Sequence, residues 1–83
     1  MAMYVEVITP TKVLYKGDAD MAEFPGESGS FQVLEDHAPL MSVLASGKVA
    51  LSKGGHIYET YSISSGYVEV KDNNITVLIN EAV

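Results

Sequence analysis

An all-β domain, a two-sheet β-sandwich or flattened barrel of about nine short strands, is what this sequence predicts, and three observations predict it. The apolar residues fall in short runs instead of the helical period, and no convincing amphipathic helix is present. Several of the runs alternate in step with a pleated strand. Turn residues (Gly, Pro, Asn, Asp, Ser) separate them at intervals of about eight to twelve positions.

Met3–Ile8 alternates, with Met3, Val5 and Val7 on one side and Tyr4, Glu6 and Ile8 on the other. Thr9-Pro10-Thr11 interrupts it, because proline cannot donate to a ladder. Lys12–Lys16 is the second predicted strand, ended by Gly17-Asp18. Asp20–Phe24 alternates again, with Met21 and Glu23 facing away from Ala22 and Phe24. Further strands are expected at Ser30–Leu34, Leu40–Leu44, Lys48–Ser52, Ile57–Ile63, Tyr67–Lys71 and Ile75–Ile79. Gly54-Gly55 and Asp72-Asn73-Asn74 supply the positive φ that tight turns require. With no internal repeat, low-complexity tract or linker, residues 1–83 read as one domain.

Two strands break the pattern of one wet face. Leu40-Met41-Ser42-Val43-Leu44 is apolar on both sides, and Ile75–Ile79 is nearly so. Either a neighbouring protein covers the second face, or loops of the same chain shield it.

Composition narrows the function. A chain of 83 residues has a marginal core, and without cysteine no disulfide supports it, which fits a reducing compartment. At 47% hydrophobic and 19% charged residues it is too apolar for a disordered segment. No apolar run reaches the length of a membrane span, and Met1–Val7 lacks the basic start of a signal peptide. The net charge is −6, with five lysines and no arginine, which argues against nucleic-acid binding and against adsorption to an anionic membrane. A basic protein partner is compatible with this charge.

The chemistry-bearing residues form no reactive constellation. Pro25-Gly26-Glu27-Ser28-Gly29-Ser30 lacks the Gly-Lys-Ser/Thr ending of a phosphate loop, and Glu27 would repel a phosphate. His37 follows Glu35 and Asp36, but neighbours in a turn diverge, and His56 lies beside a different turn. Asp18 with Asp20, and Glu35 with Asp36, read as solvated turn carboxylates, and Glu69 as the polar face of a strand. The serines at 62, 64 and 65 sit outside any nucleophile elbow. No catalytic residue, cofactor or metal is expected. Two readings of other classes stand beside a purely structural one. Lys53 at a hairpin tip is a candidate lipoyl or biotinyl attachment point, although Ser52-Lys53-Gly54 matches neither carrier context. Tyr58, Tyr61 and Tyr67 are the one aromatic grouping from which a small-ligand pocket would be built.

The order of motifs carries a resemblance. Val5-Glu-Val-Ile-Thr-Pro-Thr-Lys-Val-Leu-Tyr-Lys-Gly17, then Pro25-Gly26, Gly29, His37-Ala38-Pro39-Leu40, Ser65-Gly66-Tyr67-Val68-Glu69-Val70 and Asn74-Ile75-Thr76-Val77-Leu78 resemble, over nearly the whole chain, the epsilon subunit of the F-type ATP synthase. The resemblance implies a ten-stranded sandwich, so the expectation becomes about nine to ten short strands in two sheets. It implies a non-catalytic rotor subunit that couples the gamma subunit to the c-ring and supports ATP synthesis. Its setting would be peripheral, on the cytoplasmic side of a bacterial inner membrane or in a plastid stroma, and the isolated domain would be monomeric without inserting into the membrane.

By position, the resemblance sets Gly26, Glu27, Ser28, Gly29, Ser30, Asp36 and His37 toward the c-ring, and Thr9, His37, Leu40, Met41, Ser42 and Val43 toward gamma. The Phe24–Leu40 stretch then reads as two turns at one rim of the sandwich. Two positions depart from the family's pattern: Ser30 stands where an acidic residue is usual, and Asp36 where glycine is. Asp36 or Glu27 is the expected substitute for the missing negative charge. Most members of the family it resembles continue past the last strand into a helical hairpin that inhibits ATP hydrolysis and in some members binds ATP. Asn80-Glu81-Ala82-Val83 shows no start of one, so neither activity is expected, whether the chain is naturally short or trimmed.

Overall fold

The alternation in Met3–Ile8 becomes a strand whose Met3, Val5 and Val7 side chains are fully buried. The structure, a computed structural model, describes residues 3–82, so Met1, Ala2 and Val83 lie outside it. Every regular element among the described residues is a strand: β1 (Met3–Ile8), β2 (Val13–Ala19), β3 (Met21–Gly26), β4 (Gly29–Leu34), β5 (Leu40–Leu44), β6 (Gly47–Lys53), β7 (His56–Lys71) and β8 (Asn74–Glu81).

Among the described residues eight strands stand where about nine to ten were expected, in part because Ile57–Ile63 and Tyr67–Lys71 are one strand. Ser64-Ser65-Gly66 does not turn the chain. The register instead slips between Ile63 and Ser65, and this bulge redirects a strand of 16 residues from one sheet into the other. Up to Ile63, β7 pairs with β6; beyond it, β7 pairs with β8 on one side and β5 on the other. Gly66 suits the crossing, since a Cβ there would sit 3.0 Å from the Leu78 carbonyl oxygen. The second strand also outlasts its predicted end at Gly17-Asp18. Gly17 pairs with Val5, and the Tyr15 ring lies over the space where a Cβ would be, 2.7 Å from the hydroxyl.

Two layers result. One is a five-stranded sheet in the order β2-β1-β8-β7-β5, in which β1 and β8 run parallel and the other neighbours antiparallel. The other is β4-β3-β6-β7, wholly antiparallel. Besides the shared β7, a single bridge from Gly26 to Leu44 joins them. Their inner faces meet in one core that includes Phe24, Leu44, Leu51, Ile63, Ile75, Ile79 and the valines at 5, 7, 33, 49, 68 and 77. Phe24 packs on Phe31 with ring centroids 5.5 Å apart.

Tyrosines close the flank between β2 and the first half of β7. The Tyr15 and Tyr58 hydroxyls lie 2.7 Å apart, and both donate to the Asp18 carbonyl. Below them, Tyr61 packs against the core and donates to Glu59. The turns behave as their residues require. Gly54 and Gly55 have φ of 60° and 80°, and Asp72 and Asn73 have 51° and 61°.

One expectation about placement fails. The Gly26–Gly29 turn and the Asp36–His37 loop lie at opposite ends of β4, not at one rim. A chain that crosses the sandwich once between two turns leaves them about a strand length apart, roughly 17–20 Å for six residues.

Candidate functional site

Strand alternation sends half of each strand's side chains outward, and registry decides which of them become neighbours. On the outer face of the five-stranded sheet, Val13 lies opposite Ile8, Ile8 opposite Leu78, Leu78 opposite Tyr67, and Tyr67 opposite Val43. This apolar row crosses all five strands, about 19 Å at the usual interstrand spacing. Val13 and Val43 are more than half exposed, at 54% and 53%, while Leu78 and Tyr67 are at 41% and 36%. The next row is mostly charged, running Lys16, Glu6, Thr76, Glu69 and Met41, with a 3.6 Å ion pair between Lys16 and Glu6. Met41, at 65% the most exposed of the large apolar residues among those described, extends the apolar row at the β5 edge. Of nine exposed large hydrophobics among the described residues, six (Tyr4, Val13, Met41, Val43, Tyr67 and Leu78) lie on this face. Such clustering marks an interaction surface, whereas isolated exposed apolar residues do not.

The β5 residues divide as a strand must. Met41 and Val43 point outward, while Leu40 packs on the core and Ser42 is half-buried, its hydroxyl donating to the Val43 carbonyl. Only Met41 and Val43 of these four therefore belong to the outer face. The two-sided apolar character of Leu40–Leu44 has no loop over it on the outside, and Leu78 gives the strand at Ile75–Ile79 the same exposure.

Thr9 sits just beyond Ile8 and Val13. Its hydroxyl accepts the Thr11 and Lys12 amide protons at 3.3 and 3.1 Å, which builds the turn between β1 and β2. The Gly26–Gly29 turn lies beside the other end of the apolar row. Glu27, Ser28, Gly29 and Ser30 are exposed there, and a shallow groove of about 480 Å³ separates the turn from Met41–Val43. At Gly26 any side chain would strike the Gly29 carbonyl, 2.6 Å from a Cβ.

His37 is exposed at the far end of β4, with Nδ1 2.7 Å from the Ala38 carbonyl oxygen and its amide bonded to Leu34. Asp36 has φ of 65°, a conformation that glycine adopts freely and aspartate tolerates, which accounts for an aspartate where the resemblance leads one to expect glycine. Its amide donates to Asn73 Oδ1 at 2.7 Å, and its Oδ1 accepts from Asn73 Nδ2 at 3.1 Å.

The tyrosine pocket does not find its geometry, whereas Lys53 does stand exposed at the β6–β7 hairpin. Tyr67 stands on the outer face of the five-stranded sheet, while Tyr58 and Tyr61 are at the tyrosine-lined flank with Tyr15, so the three do not line a common pocket. The Lys53 ammonium lies 5.4 Å from the centre of the Tyr58 ring, and the Gly54 amide is tied to Asp20. Among the described residues no three His, Asp or Glu side chains are grouped to hold a metal.

The sequence reading missed Tyr4, Ile8, Val13, Tyr67 and Leu78 as parts of one surface. Each occupies a position that strand alternation sends to the wet face, which is a visible signal. Their adjacency depends on pairing between distant strands, which is not.

The family described as ATP synthase, Delta/Epsilon chain, beta-sandwich domain matches residues 2–83. The chain is 39% identical over 80 residues to the ATP synthase epsilon chain of Chlorobaculum tepidum, covering 96% of this chain and 91% of that one. It is 35% identical to that of Caulobacter vibrioides, covering 98% and 93%. Against the epsilon chain of Leptospira borgpetersenii it is 42% identical over 89% of its own length but spans only 58% of that relative. In fold it resembles a chain of the Tetrahymena thermophila mitochondrial ATP synthase central stalk and c-ring, with a TM-score of 0.81 at 17% identity over 98% of this chain and 65% of that one. A chain of the Euglena gracilis mitochondrial ATP synthase gives 0.87 at 22% identity, covering 99% and 52%. On the match over nearly its whole length, the chain belongs to the ATP synthase delta/epsilon family as its β-sandwich domain.

Proposed function

We propose that this domain is a non-catalytic rotor component of an F-type ATP synthase, joining the gamma subunit to the c-ring so that ion-driven rotation reaches the catalytic head. The observation that carries the proposal is the apolar row from Val13 to Val43, extended by Met41, on the outer face of the five-stranded sheet. That face is the docking surface for gamma. Thr9 borders it at the β1–β2 turn and His37 at the opposite end, near the start of β5.

The exposed turn Gly26–Ser30 meets the polar loops of the c-ring. It lies next to the docking face and carries a carboxylate, Glu27, near its tip. Asp36 is less suited to that contact, being at the other end of β4 with Oδ1 already engaged by Asn73. His37 shares that end, so it faces gamma and not the ring. A closed sandwich with one core suits torque transmission, because a close-packed interior resists deformation. The domain works at the membrane surface as part of the complex, on the cytoplasmic side in a bacterium.

Copurification with gamma tests the reading. The chain is expected to retain gamma, and Met41→Glu with Val43→Glu is expected to weaken binding at least about a hundredfold, close to 3 kcal/mol. A chain that fails to retain gamma under conditions where an established epsilon subunit does so would overturn it.

A further inference from the structure

β5 carries Met41 and Val43, yet it is an edge strand. It pairs with β7 along its whole length, and among the described residues its other side has only the Gly26–Leu44 bridge. With one neighbour, such a strand depends on what holds its ends. The Leu44 end is fixed by that bridge and by the Ala45 amide, which donates to the Pro25 carbonyl at 2.8 Å.

The Leu40 end is held differently. Asp36 and Asn73 make a reciprocal pair of hydrogen bonds, backbone amide to side-chain oxygen at 2.7 Å and side-chain amide to carboxylate at 3.1 Å. Both residues have positive φ, 65° and 61°, so the two turns present these short polar groups to each other. The Asn73 carbonyl also accepts the Tyr4 amide proton at 2.9 Å. One residue in the β7–β8 turn thus ties together β1, its own turn and the loop that leads into β5.

We propose that Asp36 and Asn73 form a positioning clamp that sets the start of β5, and with it Met41 and His37, in the geometry that gamma recognises. The inference rests on the functional reading above. It assigns the β7–β8 turn a part in docking through β5, the edge strand paired with β7.

Asn73→Gly tests the clamp, because glycine keeps the positive φ and removes only the side-chain bonds. Amide hydrogen exchange of residues 37–41 is expected to quicken about tenfold, and gamma affinity to fall by a similar factor. Asn73→Asp sets two carboxylates against each other and is expected to do the same or more. Combining Asn73→Asp with Asp36→Asn exchanges donor and acceptor groups and is expected to restore both readouts. Unchanged exchange in Asn73→Gly would overturn the clamp. Quickened exchange with wild-type affinity for gamma would overturn its part in docking, as would failure of the swapped pair to recover affinity. A wild-type chain that does not bind gamma would instead overturn the reading beneath it, and that result appears in the wild-type arm alone.

Discussion

The Tyr58 hydroxyl sits on a rim, 2.7 Å from that of Tyr15, and this arrangement has a consequence for stability. Partial desolvation, reinforced by the hydrogen bond with Tyr15, raises the Tyr58 pKa although the residue stays 37% exposed, and partial burial together with the charge of Glu59 pushes Tyr61 up to about 12. Both phenols therefore stay neutral in the folded chain at a pH where the unfolded chain, ionising near 10, has begun to lose its protons. The unfolded state then binds fewer protons, so stability falls as pH rises. The contribution is fully present below about pH 10 and is lost as pH climbs toward about 12. Urea unfolding across that range is expected to show a falling midpoint, and Tyr58→Phe to flatten the fall. An equally steep fall in the variant would remove Tyr58 from the explanation. At this scale the sequence was legible in part: it singled out Tyr58 and Tyr61, but grouped them with Tyr67. Tyr67 alternates onto another surface, and Tyr15, distant in sequence, takes its place.

At the scale of elements, β7 decides the architecture. Its bulge between Ile63 and Ser65 lets one strand serve both layers, and Gly66 passes within a Cβ's reach of the Leu78 carbonyl and the Ile79 side chain. Gly66→Ala is expected to displace β8 from β7 and to cost about 1–3 kcal/mol, read as a lower urea midpoint at unchanged slope. A midpoint within error of the parent would show that the crossing does not need glycine. Strand positions were legible because alternation and turn residues are local signals, as at Met3–Ile8 and Gly54-Gly55. The break expected at Ser64-Ser65-Gly66 was not a break, since small polar residues suit a bulge as well as a turn. The failed expectation that the Gly26 and His37 turns share a rim has another origin. β4 alone separates them, and a single crossing strand puts its two ends on opposite sides of the domain whatever its sequence.

For the whole molecule, the two outer faces differ, and the difference carries the functional account. The outer face of the five-stranded sheet bears a continuous apolar row across five strands. On the other sheet, Leu34 and Ile57 are also exposed, at 52% and 61%, but Met21 is only partly exposed and Ser52 between them is a small polar residue. The two-sided apolar strands and the absence of any reactive constellation pointed toward a protein partner from sequence alone, with which the acidic composition was merely compatible. Met41 and Val43 were already set toward a partner, but the full extent of the face was illegible, because Val13, Leu78, Tyr67 and Val43 become neighbours only through strand pairing. The most direct measurement compares gamma affinity for two double variants, Val43→Glu with Leu78→Glu on the first face and Leu34→Glu with Ile57→Glu on the second. All four side chains are exposed, so both variants are expected to fold, which circular dichroism and unfolding midpoints check. The account predicts a loss of at least about a hundredfold for the first pair and less than about threefold for the second. Equal affinities for the two variants, or a loss confined to the second, would contradict it.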